Sequence, residues 1–215
     1  MLGRLLATAA WAPLFVVCAC VSTPTSTGSV SGRAPSSAPM TQDELRQKID
    51  AIFGAHMDAE LAGDLDNTLA TMAPDPHLVN VPTMIGGKGP DSVRTFYANR
   101  LIGQFFPPDV KFETVSRTYS PERLVDELII SFTHTTKIDW MLPGIEPTGK
   151  FVEVAFVVVV GIDGDKVTHE HIHWDQANVL VQIGLLDPTG LPVTGAGAAA
   201  KLRDPSKPDP FFGEG

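Results

Sequence analysis

Cysteine is nearly absent. The 215 residues hold two, Cys18 and Cys20, both in one apolar run near the amino terminus. No disulfide framework and no thiolate zinc site is open to the rest of the chain, which must hold by packing. Basic residues are also scarce, with 16 Lys and Arg against 25 Asp and Glu, and this argues against a phosphate-backbone ligand such as nucleic acid, whose binding rests on clustered Lys and Arg. The first 40 residues contain Arg4 and Arg33 and no acid, so the remainder is more acidic than the formal charge of −9 suggests. There is no P-loop and no glycine fingerprint between a strand and a helix. The segment Gly28-Ser29-Val30-Ser31-Gly32 has Val where a nucleophile elbow needs Ser. Nucleotide binding and covalent serine hydrolysis both lose support. No repeat of about 20 to 50 residues is visible. At 43% hydrophobic and 19% charged, the chain has a globular composition with loop-rich segments.

The uncharged stretch Leu5 to Val21 follows Arg4. It is short for a membrane span of about 20 apolar residues, and Pro13 interrupts it. Ser, Thr, Gly, Pro and Ala then dominate to Met40. This pattern is expected of an export signal over residues 1–20 and a linker over 21–40. Val17-Cys18-Ala19-Cys20 resembles a bacterial lipoprotein signal, which implies lipidation at Cys20 and a membrane anchor; plain cleavage and secretion is the alternative. Met40 sits directly before the first helix, and a start there would make the protein cytoplasmic.

One domain is expected over residues 41–190. Thr41-Gln42-Asp43-Glu44 reads as a capping box. Leu45, Ile49, Ile52, Phe53, Met57 and Leu61 then recur at helical spacing, and Gly63 is placed to end the helix. Leu65, Leu69 and Met72 predict a short second helix stopped by Pro74 and Pro76. A third helix opens on Pro90, with Val93, Phe96, Tyr97, Leu101 and Ile102 on its apolar side. His77 to Val81, Val110 to Tyr119 and Leu124 to Thr136 read as strands. Phe151 to Ile162 is nearly all apolar, as for a strand covered on both faces. After the turn Asp163-Gly164-Asp165, Val167 to Gln176 returns as the next strand. The Pro- and Gly-rich tail, residues 191–215, offers no chemistry.

The chemistry concentrates in His169-Glu170-His171-Ile172-His173-Trp174-Asp175. Alternation puts His169, His171, His173 and Asp175 on one face, and Glu170, Ile172 and Trp174 on the other. The ends of the histidine row stand roughly 13 Å apart at about 3.3 Å per residue, whereas a ligand nitrogen lies about 2.0 Å from zinc. At most two neighbours could share an ion, and a further ligand would have to come from another strand, such as His134 or Asp139. No metal site and no cofactor is expected. Asp175 is the candidate acid/base. A carboxylate at the end of an apolar strand is costly unless paired or opened to a cavity, and burial tunes it for proton transfer. Asp139, Trp140 and His134 border the loop Pro143 to Gly149, where a pocket could close over a ligand.

These pieces, with Ala62-Gly63-Asp64-Leu65-Asp66 after the first helix, Pro147-Thr148-Gly149-Lys150, and Gln182-Ile183-Gly184 beyond Asp175, resemble the SnoaL-like polyketide cyclase group of the nuclear transport factor 2-like superfamily over about residues 41–188. The resemblance implies an α+β fold: a cone-shaped barrel of a strongly curved, mostly antiparallel sheet packed against three amino-terminal helices, enclosing an apolar pocket, with frequent homodimerisation. It also implies that Asp175 acts as acid/base in a cofactor-free reaction. On that basis the chain is expected to be an exported acid/base enzyme, of cyclase, isomerase or hydrolase type, on a small apolar carbonyl compound. Asp175 would move the proton, His171 or His173 would tune it, and Trp140, Asp139 and His134 would bind substrate. The alternative is a non-catalytic ligand-binding lipoprotein with the same pocket. A subunit that acts through dimerisation, its pocket vestigial, is a third reading. Fold alone does not choose among them.

Overall fold

The computed structural model describes residues 39–211. The expected signal (1–20), Cys20 and nearly all of the linker (21–40) lie outside the described residues. The Thr41 box forms as expected: the Glu44 amide donates to Thr41 Oγ1 at 3.2 Å, and the Thr41 amide donates to Glu44 Oε2 at 2.8 Å. Helix α1 (Gln42–Leu61) follows, and Gly63, at φ 68°, turns the chain out of it. Helix α2 is Leu65–Ala70. Met72 belongs to the next element instead, strand β1 (Met72–Asn80), which runs through Pro74 and Pro76. Pairing to its neighbour shifts register between Met72 and His77, so the prolines sit where ladder donors are not required.

Strand β2 (Ile85–Lys88) was not legible in the sequence. It has no apolar alternation and is specified by close approach: a Cβ on Gly86 would lie 2.0 Å from the Leu78 carbonyl oxygen. Helix α3 (Pro90–Phe96) opens on Pro90 and continues as a π-helical turn over Tyr97–Leu101. Strands β3 (Lys111–Ser120), β4 (Arg123–Thr133), β5 (Phe151–Asp163) and β6 (Lys166–Trp174) form the meander expected from the β-rich runs and the turns between them. Two short helices follow, α4 (Gln176–Gln182) and α5 (Gly197–Arg203).

The strands form one sheet in the order β2-β1-β6-β5-β4-β3. The β1–β6 pairing is parallel and the other four are antiparallel. The barrel expectation is therefore corrected. β2 and β3 are edges with no pairing between them, so the sheet is an open, mixed layer and not a strongly curved one rolled into a cone. Nor do the helices reduce to three amino-terminal ones, since α4 and α5 follow the last strand. Closure needs hydrogen bonds between edge strands, and the four-residue β2 ends the sheet.

The core lies between the sheet and α1 and α3, with Ile49, Leu78, Val93, Tyr97, Phe132 and Val160 almost fully buried. Strand β5 is not covered on both faces. Val152, Val154 and Phe156 are buried, while Phe151 and Val157 are exposed, an alternation hidden by its uniform apolar content. On that outer face Arg203 of α5 donates to Glu113 and Glu153 at 2.8 and 2.9 Å. Asn178 Oδ1 accepts from the Thr194 and Gly195 amides at 2.8 Å each. Ordered packing thus runs into the tail.

Candidate active site

A cavity of about 80 Å³ lies between α1, the π turn and the inner face of the sheet. A water takes about 10–15 Å³ on that scale, so the space suits a small molecule. Its walls are apolar, with Phe53, Met57, Phe106, Trp140, Phe156 and Ile172 prominent, and its polar lining residues are Glu60 and Glu170.

Both glutamates arrive on faces that otherwise carry apolar residues. On α1 the buried stripe is Leu45, Ile49, Phe53, His56 and Glu60, so a His and a Glu at i and i+4 continue the hydrophobic face. Alternation along β6 sends Glu170, Ile172 and Trp174 inward. His56, Glu60 and Glu170 are buried to 0%, 5% and 3% exposure, and charges so placed must pair.

They pair around His56. Thr71 Oγ1 donates to the Thr68 carbonyl at 2.6 Å, so it accepts from His56 Nδ1–H, also at 2.6 Å. The opposite nitrogen, Nε2, lies 3.1 Å from Glu60 Oε1, 3.5 Å from Glu170 Oε2 and 3.2 Å from the Tyr97 hydroxyl. Tyr97 donates in turn to Glu170 Oε2 at 3.2 Å. Glu60 Oε1 is within ion-pair distance of Nε2 yet off the hydrogen-bonding direction, which leaves it without a hydrogen-bond partner.

The electrostatics follow from this geometry. Burial by itself would strip the proton from His56, but the charge and hydrogen bond of Glu170, reinforced by Glu60, outweigh it, and the imidazole is pushed up to about 10. Burial holds the Glu60 carboxyl above its usual range, and repulsion from Glu170 adds to this. Burial also raises the Tyr97 phenol, with both glutamates opposing its ionisation. The centre therefore combines an imidazolium, a carboxyl held above its usual range and a neutral phenol. One donor atom each from His56, Glu60 and Glu170 lies within 4.8 Å of the others, so the same three could hold a cation.

The residues expected from sequence fall elsewhere. Asp175 is exposed and caps α4, accepting from the Asn178 amide at 3.0 Å and the Asn178 side chain at 2.8 Å. With the exposed His173 it borders a shallow groove beside Val157 and Leu202 on the outer face. His171 and His169 share that outer face, half-buried, and burial and then neighbouring histidines lower both. Trp140 does line the cavity, as a buried wall whose Nε1 donates to the Phe105 carbonyl at 2.9 Å. Asp139 is half-buried outside it, accepting from the Gly144 amide and 3.9 Å from Arg100. His134 is fully buried, its Nδ1 3.2 Å from Thr148 Oγ1 and its Nε2 unpartnered; burial lowers it. Sequence reasoning missed His56, Glu60, Tyr97 and Glu170. The available signals were a titratable pair inside the apolar stripe of α1, and Ile172 and Trp174 marking Glu170's face as the inward one.

No family model matches the chain, and no curated protein matches it. Solved structures do. A protein from Jannaschia sp. CCS1, provisionally assigned as a SnoaL-like polyketide cyclase, is 16% identical, with a TM-score of 0.53 over 73% of this chain and 99% of its own. TsrD from Streptomyces laurentii is 16% identical, with a TM-score of 0.50 over 66% of this chain and 98% of its own. At this identity the likeness is one of fold, shared with the Jannaschia protein and TsrD.

Proposed function

We propose that this protein is an acid/base enzyme acting on a small, largely apolar carbonyl compound held in the cavity. The observation that carries this reading is a pair of carboxyl groups in unlike settings on one apolar cavity: Glu170 is engaged by Tyr97, and Glu60 presents an oxygen without a hydrogen-bond partner. Such pairs divide acid and base roles between them. Glu60 gives its proton to the carbonyl oxygen while Glu170 takes one from the adjacent carbon, forming an enol. Return of a proton from Glu170 to that carbon and of the hydroxyl proton to Glu60 restores both groups with the carbon-bound hydrogen exchanged, and return to a different carbon of an unsaturated substrate isomerises it, in either case without a co-reactant. His56 and Tyr97 hold the charge balance, and Trp140 shapes the wall.

The test is protein-catalysed exchange of carbon-bound hydrogen in D2O across a panel of small ketones and aldehydes, read by NMR. Glu60→Gln and Glu170→Gln should each slow exchange by about 10²–10⁴-fold, while Asp175→Asn should leave it unchanged. Loss of exchange in Asp175→Asn, with Glu60→Gln fully active, overturns the assignment. Ligand binding with no exchange in any pairing supports the non-catalytic reading. Export and anchoring through a lipidated Cys20 belong to the same proposal and are read from the mass of the mature amino terminus; sedimentation of the full chain tests the homodimer.

A further inference from the structure

The outer face of the sheet carries a second cluster, independent of the cavity. β1 and β6 run parallel with His77 opposite His169 and Val79 opposite His171, so β1 delivers an imidazole to the histidine row of β6. His77 Nε2 lies 3.0 Å from His171 Nε2. The His77 and His169 rings stack with centroids 4.8 Å apart and planes 8° apart. The His169 ring is seated over Gly161, where a Cβ would lie 2.1 Å from its Cε1. The glycine therefore fixes the ring that braces His77.

We infer that His77 and His171 form a two-imidazole clip for a divalent first-row transition cation. Two nitrogens each about 2.0–2.1 Å from one ion stand about 2.9 Å apart at a right angle and about 3.3 Å apart at the tetrahedral angle. The observed 3.0 Å falls between these values. Without an ion, a shared proton spans the same gap. The spacing that separates the two ends of the β6 row does not limit this pair, because the partner comes from the adjacent strand. Remaining positions on the ion would go to water, since both rings are only half-buried. Arg123 lies across Gly161 from His169, so the local field opposes a cation and the lone pairs must hold it. That selects imidazole-seeking Cu²⁺, Ni²⁺ or Zn²⁺ over Mg²⁺ and Ca²⁺.

The experiment titrates the full chain with Ni²⁺, Zn²⁺ and Mg²⁺, following affinity by calorimetry and the histidine ring nitrogens by NMR. Zn²⁺ should shift the Nε2 resonances of His77 and His171 together. His77→Ala and His171→Ala should each weaken Ni²⁺ binding by about tenfold or more, His173→Ala should leave it unchanged, and Mg²⁺ should not bind. His171→Gln gives a second, milder variant, and the wild-type NMR titration decides even if an alanine variant unfolds. Absence of binding, binding that survives both alanine variants, or zinc shifts centred on His56 and abolished by Glu60→Gln would each overturn the assignment.

Discussion

Glu170→Gln takes away the charge and the hydrogen bond that do most to keep a proton on His56. With both glutamates present the imidazole is pushed from an ordinary 6.5 up to about 10, against the opposing effect of burial. Because the folded value exceeds the unfolded one, the protonated ring contributes stability that is fully present below about pH 6.5 and is lost as pH rises through about 10. A tenfold change in proton affinity is worth about 1.4 kcal/mol, so the contribution of His56 is on the order of 5 kcal/mol. A domain of this kind holds only about 5–15 kcal/mol in total. Glu60 acts in the same sense, since its carboxyl is raised in the fold and stability is lost as pH rises through a raised value. The assay follows histidine ring protons by NMR from pH 5 to 11, with urea unfolding at each pH. One ring should stay protonated until about pH 10, with the urea midpoint falling steadily above neutrality. In Glu170→Gln that ring should titrate several pH units lower, and the decline in midpoint should flatten. If all six histidines of the wild type lose their protons below pH 8, the reasoning fails.

Asp175→Ala should cost about 1 kcal/mol by removing the α4 cap, and Asp175→Asn should cost a few tenths at most; urea unfolding measures both. Asp126, 2% exposed, is paired by Arg117, which also donates to Asp50 at 3.0 Å. Arg117→Met should therefore destabilise the protein by about 3–5 kcal/mol, because a buried carboxylate loses its partner, and recovery in Arg117→Met with Asp126→Leu would identify that pairing as the cause. Gly161→Ala places a methyl against the His169 ring and Thr168 Oγ1 and should cost about 1–3 kcal/mol, read from the thermal midpoint, with the His169 ring resonance displaced.

The fold was legible where a local rule had one reading. The Thr41 box, the stripe on α1 and the turns that bound the β-branched runs from β3 to β6 each allow a single element. β2 was invisible because its specification is the absence of side chains at Gly86 and Gly87, which only the opposing backbone explains. The buried His56, Glu60 and Glu170 cluster is not legible because β6 carries titratable groups on both faces. Three histidines and an aspartate outnumber one glutamate, yet the apolar partners Ile172 and Trp174 mark the side that must be buried. Asp175, the expected acid/base, stands three residues before Asn178, which is also the position of a helix cap. The barrel expectation came from the family resemblance, and the open edges of β2 and β3 correct it.

The alternation of β6 divides one short stretch of chain between two compartments. Adjacent codons 170 and 171 serve opposite sides of a single layer, so a saturation scan from 169 to 172 should show phenotypes that switch at every step: cation uptake at 169 and 171, turnover at 170 and 172, with alkaline tolerance moving at 170. Variation in one property can then be selected without disturbing the other.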